Sequence, residues 1–207
     1  MAASPAGDER DLSDPLDQAS PSVEMRVDFL DPAILGDGAP GKLGLTFLPG
    51  KHGPSDRYPG LVYGRDLATD LAALRRHGVT HLLLLVDDEE LARWGDPDIV
   101  QLAASSGIQV ERQPLVDGTA PATPAAMAAL LEALRVARHT GDVAVACMGG
   151  VGRTGTVAAC ALVEARMSPD AAISEVRRLR HPQAVETEAQ EAFVREYARW
   201  VNGTNGA

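Results

Sequence analysis

The chain has 207 residues, 45% of them hydrophobic and 23% charged, which is enough apolar material for one well-filled core and too little length for two ordinary domains. Lys and Arg total 19 against 29 Asp and Glu, and the formal charge of −10 argues against nucleic acid as the main partner. Purely apolar runs such as Leu82–Val86 and Val143–Met148 fall far below the roughly 18 residues of a membrane span, so no membrane association is expected.

The first 22 residues carry Asp8, Glu9, Asp11, Asp14 and Asp17 against Arg10, with much Ala, Ser and Pro, and read as a disordered acidic tail. They lack a basic start followed by an apolar stretch, so no secretory leader is expected. The two cysteines, Cys147 and Cys160, exclude a disulfide framework and fit a reducing cytoplasm. Residues 23–207 are expected to form a single folded domain.

From Leu43 to Pro49 an apolar piece reads as a strand, followed by a Gly/Pro/Lys/Asp loop to about Gly60. Leu67, Leu71 and Leu74 then recur at helical spacing, with Gly78 as the stop. Thr80–Val86 has little polar alternation and suits the centre of a parallel sheet covered on both faces. Asp87, Asp88, Glu89 and Glu90 behind it read as the acidic first turn of a helix. Ile108 and Val110 alternate with Gln109 and Glu111, as in a half-exposed strand nearer an edge.

Met127, Leu130, Leu131 and Leu134 mark an amphipathic helix, and Gly141-Asp142 leads into a strand from Val143 to Cys147. Beyond it the pattern is helical only: Thr154–Arg166, then Pro169–Arg180 behind a Ser168 cap, then a helix opened by the capping box Thr187-Glu188-Ala189-Gln190, with Phe193, Tyr197, Trp200 and Val201 as its apolar stripe. This alternation predicts an α/β fold, a central and mostly parallel sheet flanked by helices, with a helical C-terminal part.

One stretch carries chemistry: Cys147-Met148-Gly149-Gly150-Val151-Gly152-Arg153-Thr154-Gly155, between the last strand and a helix. Its glycines permit a turn whose successive N–H groups point at one centre, a nest at a helix N-terminus that suits a phosphate-sized anion. Met148, Gly149, Gly150, Val151, Gly152 and Arg153 are the candidate phosphate-binding residues, with the Arg153 guanidinium as a two-pronged clamp. The same donors favour Cys147 as a thiolate, and a thiolate beside phosphorus is a nucleophile. The Thr154 hydroxyl is placed to hydrogen-bond the sulfur and ease its departure, although plain helix capping also explains it.

A leaving oxygen needs a proton, and Asp117, in the loop Pro114–Pro121 between the Ile108 strand and the Met127 helix, is the candidate general acid. The alternative for Asp117-Gly118 is an ordinary turn.

With its Cys-x5-Arg-Thr loop and upstream aspartate loop, the chain resembles the cysteine-dependent protein phosphatases of the tyrosine and dual-specificity class. Leu43-Gly44-Leu45, Leu48-Pro49-Gly50, Asp117-Gly118, the loop from Cys147 to Arg153 and Val157–Cys160 are similar, more specifically, to the kinase-associated phosphatase (cyclin-dependent kinase inhibitor 3) family. The resemblance implies a tyrosine-phosphatase-like fold and a phosphocysteine intermediate, with Cys147 as nucleophile, Arg153 as clamp and Asp117 as general acid and then base. It implies no metal and no cofactor. The substrate implied is a phosphorylated protein, bearing phosphotyrosine and also phosphoserine or phosphothreonine, and a kinase partner is left open.

Two departures stand out. Ala146 occupies the place where the family usually has His. Glu186 occupies that of a water-positioning glutamine in the tyrosine-specific branch, so it either points away or weakens phosphate binding. The remaining alternatives are a non-catalytic phosphate-binding module, and an arsenate reductase or thiol redox enzyme with Cys160 as a resolving thiol.

Overall fold

The computed structural model describes residues 19–204. Most of the expected acidic tail lies outside the described residues. Its last four, 19–22, belong to the fold: Ala19 is buried and the Ser20 carbonyl accepts from Arg65 Nη1 at 2.7 Å.

In chain order the strands are β1 (Asp28–Phe29), β2 (Leu43–Phe47), β3 (His52–Pro54), β4 (Val62–Gly64), β5 (Val79–Leu84), β6 (Gln109–Arg112) and β7 (Asp142–Cys147). The helices are α1 (Pro32–Leu35), α2 (Leu67–Arg76), α3 (Asp88–Trp94), α4 (Ile99–Ser105), α5 (Pro124–Arg138), α6 (Gly152–Glu164), α7 (Pro169–Leu179) and α8 (Glu188–Thr204). A five-stranded sheet has the order β1-β2-β7-β5-β6, parallel except for β1. The α/β class and the helical C-terminal part are as the sequence predicts.

The sheet is covered on both sides. Val143, Val145 and Cys147 of β7 face a layer built from α5, α6, α7 and α8. Ala144 and Ala146 face the other layer, with Leu71 and Leu74 of α2 and Ile99 of α4. At about 1.5–3 kcal/mol for each large apolar side chain removed from water, this two-sided burial is what holds β7 in the centre. The edge expected around Ile108–Glu111 is β6, whose Gln109 and Glu111 are exposed.

Five short elements among the described residues were not expected from the sequence: β1, α1, β3, β4 and α4. The loop expected up to about Gly60 contains β3, which pairs with β4 just beyond it in a hairpin too short and too Gly/Pro-rich to show a period. The two-residue β1 pairs with β2 and has no pattern of its own. Among the described residues, no helix is long and apolar enough to cross a membrane.

Candidate active site

Parallel pairing brings the C-terminal ends of β2, β5 and β7 to one edge of the sheet, where Phe47 lies opposite Cys147 and Leu85 N–H donates to Ala146 O at 2.8 Å. In open sheets of this kind such an edge is where ligands bind. Here it opens into a cleft of about 400 Å³ lined by Cys147, Met148, Gly149, Val151, Gly152 and Asp117.

The loop leaving β7 is held from behind. Arg180, at the end of α7, donates from Nε to Gly150 O at 3.0 Å and from Nη2 to Gly149 O at 3.4 Å, and pairs through Nη1 with Asp28 of β1 at 2.8 Å. These two contacts fix the carbonyls of Gly149 and Gly150 on the Arg180 side of the loop. Gly150 has φ +66°, and a Cβ there would lie 2.2 Å from Thr46 O, so no other residue fits. Helix α6 begins at Gly152 with no side-chain cap, which leaves its first amides directed at the loop.

Cys147 is buried at the base of the cleft. Burial works to raise its thiol pKa, but the Arg153 charge, the Thr154 hydroxyl and the amides of Thr154 and Val151 outweigh it and the net shift is downward. The fully buried Thr154 hydroxyl has no nitrogen or oxygen partner, which leaves it for the sulfur. Cys160 differs: burial first and then Glu164 push its thiol well up, which is unlike a resolving thiol.

Arg153 is 0% exposed and reaches three elements. Its Nη1 donates to Glu90 Oε2 at 2.6 Å, to Leu115 O at 2.9 Å and to Leu85 O at 3.3 Å, while Nη2 donates to Glu90 Oε1 at 2.6 Å. Burial opposes its charge, but Glu90, Cys147 and Asp117 prevail and hold it protonated more firmly than usual. Its Nε is buried without a partner, an unmet donor on the guanidinium whose charge lowers the Cys147 thiol.

The structure brings Asp117 to the same place: Oδ1 lies 3.0 Å from Arg153 Nη2, on a side chain 78% exposed to the cleft. Its loop is clasped by α8, because Thr187 Oγ1 donates to Gly118 O at 2.8 Å and Gln190 Nε2 to Thr119 O at 3.0 Å. Gln190 Oε1 in turn accepts from Glu186 N–H at 2.8 Å and Thr187 N–H at 3.3 Å, so this side chain is fully engaged as a clasp.

Glu186 does not point away. It lines the cleft and approaches the loop closely enough that a Cβ on Gly152 would sit 2.9 Å from its Oε2. Arg57 pairs with it and also donates to Gln183 Oε1 at 2.7 Å, which offsets the carboxylate's charge. Three groups at the site carried no recognisable signal in the sequence: Glu90, read there as helix capping, Arg57 and Lys51, both in the Gly/Pro stretch.

The family model described as "PTP-SAK: Swiss Army Knife protein, DSP-PTPase phosphatase domain" matches residues 63–194. Human cyclin-dependent kinase inhibitor 3 is 27% identical over 157 residues, covering 75% of this chain and 71% of that protein. A crystal structure of kinase associated phosphatase, with its catalytic-site cysteine changed to serine, superposes with a TM-score of 0.75 at 24% identity, over 87% of this chain and 98% of that one. The active form of Tk-PTP gives a TM-score of 0.59 at 28% identity, over 77% and 92%. Sequence, fold and cleft agree on one assignment: the chain belongs to the DSP-PTPase family and is a phosphatase of the protein tyrosine/dual-specificity class.

Proposed function

We propose that this phosphatase hydrolyses phosphate monoesters on protein side chains, phosphotyrosine above all and phosphoserine or phosphothreonine as well, through a phosphocysteine intermediate. The observation that carries the reading is the Cys147 thiol, lowered in pKa by Arg153, Thr154 and the loop amides although it is buried at the base of an open cleft. The uncharged loop residues Met148 to Gly152 suit a single phosphate, and Tyr58, Tyr63 and Trp94 on the walls suit an aryl group.

The phosphate enters the nest with its oxygens on the loop amides and on Arg153, whose unpartnered Nε and Nη2 edge supply the donors. Binding there displaces Asp117 from Nη2, and the carboxylate, released from the guanidinium, takes up a proton from solvent and is then the acid that faces the leaving group. Cys147 Sγ attacks phosphorus in line, the S–P bond forms as the P–O ester bond breaks, and Asp117 gives its proton to the departing oxygen. In the second half a water attacks phosphorus, Asp117 takes the water's proton, the S–P bond breaks with Thr154 Oγ1–H stabilising the sulfur, and inorganic phosphate leaves.

The test is a phosphopeptide panel with the wild type and a Cys147→Ser trap. The expected result is hydrolysis abolished by the serine variant, with retained binding of the preferred peptides; equal turnover by both proteins would remove Cys147 from the chemistry.

A further inference from the structure

Lys51 has no task in the steps above. It is 3% exposed, yet it lines the same cleft as Cys147, with Nζ 3.7 Å from the Tyr63 ring centroid. A buried ammonium is costly unless an opposite charge faces it, and here the Cys147 thiolate acts on it.

The segment that delivers Lys51 is fixed on both sides. The chain leaves β2 beside Cys147 and turns at Gly50, whose N–H donates to Asp70 Oδ2 at 2.8 Å. The Lys51 carbonyl accepts from Arg65 N–H at 3.0 Å. Arg65 and Asp70 are joined by buried contacts of 2.7 Å (Nη2 to Oδ1) and 2.9 Å (Nε to Oδ2). A buried ion pair is a weak source of stability. This one holds the backbone on either side of the lysine.

Charge balance gives the lysine its role. Arg153 is neutralised by Glu90, and Arg57 by Glu186. A phosphate dianion arriving on a thiolate would leave the cleft strongly negative, and the residue before the nucleophile, Ala146, is a buried alanine in the opposite layer. We propose, resting on the phosphatase reading above, that Lys51 is a second cationic contact of the phosphate: it stabilises the Cys147 thiolate in the free enzyme and donates an Nζ–H to a phosphoryl oxygen in the complex.

Burial lowers the Lys51 pKa to about 8, with Cys147 pulling it up and Arg57 pushing it down. The groups facing it are Cys147, Arg57 and Tyr63, whose phenol is itself raised by burial, and Asp87 and Glu90 lie on the same cleft. Lys51 is charged below about pH 8 and neutral above it, so its help fades as the pH rises through that value.

The experiment compares the full chain with Lys51→Met and Lys51→Arg, reading kcat/KM for p-nitrophenyl phosphate and the rate of Cys147 alkylation by iodoacetamide, both against pH. Lys51→Met is expected to lower kcat/KM by about 10- to 100-fold, the worth of one charge-assisted hydrogen bond, and to move the alkylation midpoint upward. Lys51→Arg is expected to keep most of kcat/KM and to lose the decline near pH 8, because guanidinium stays charged. A Lys51→Met alkylation midpoint equal to the wild type overturns the proposal on its own, as does a Lys51→Arg profile that keeps the wild-type decline. Failure of the phosphatase reading shows separately, as wild-type hydrolysis no faster than that of Cys147→Ser.

Discussion

Glu90 grips the Arg153 guanidinium with both oxygens, each 2.6 Å from a different Nη, in a pair whose arginine is wholly buried and whose carboxylate is 12% exposed. The same Glu90 closes a capping box with Asp87 at the start of α3, so one side chain both begins a helix and orients the Arg153 guanidinium.

Glu90→Ala leaves that guanidinium buried with its main partner gone. Breaking a buried pair from one side costs about 3–5 kcal/mol, and urea unfolding should register a loss of that order. Glu90→Gln keeps the shape and one acceptor and should lose less. Both variants should raise KM, because the clamp is no longer held in one orientation; unchanged stability and KM in Glu90→Ala would contradict the buried pair.

Asp117→Asn removes the proposed proton donor and leaves the loop clasped by Thr187 and Gln190. Turnover of tyrosyl phosphates should fall by about 10²- to 10⁴-fold, while esters with very good leaving groups are largely spared. An equal loss on both kinds of ester would take the general-acid role away from Asp117.

Thr154→Ala deletes a hydroxyl left for the nucleophile's sulfur. Rapid-quench kinetics should show phosphoenzyme formed at nearly the wild-type rate and broken down more slowly, with a larger burst. If formation slows and breakdown does not, the hydroxyl serves the attacking rather than the departing thiolate.

Arg57→Ala exposes the phosphate to an uncompensated Glu186, so KM should rise severalfold, and the rise should shrink at high salt. Adding Glu186→Gln in the same chain should bring KM back. Additive rather than compensating effects in that double-mutant cycle would mean the two residues act separately.

That the Cys147 loop and the Asp117 loop meet at one cleft was legible because the signal is local: glycines, a cysteine and an arginine at fixed spacing between a strand and a helix. The order of the longer strands and helices was legible from periodicity, Ile108–Glu111 as an edge included, while the short β1, α1, β3, β4 and α4 were not. Glu90 was not, because helix capping already accounts for an acid three residues after Asp87 and nothing nearby shows that Arg153 will arrive from 63 residues downstream. Arg180 and Asp28 meet across 152 positions, and Lys51 depends on a turn secured by Arg65 and Asp70; each is a tertiary contact without a sequence period. Glu186 was legible as a departure, but its neutralisation by Arg57 was not.

The contact between Asp117 and Arg153 in the resting enzyme also bears on turnover. Inorganic phosphate and the aspartate carboxylate are rivals for one edge of the guanidinium. In the proposed mechanism Asp117 holds the water's proton when hydrolysis ends; once it loses that proton to solvent, the carboxylate competes with the product for the guanidinium and favours its release.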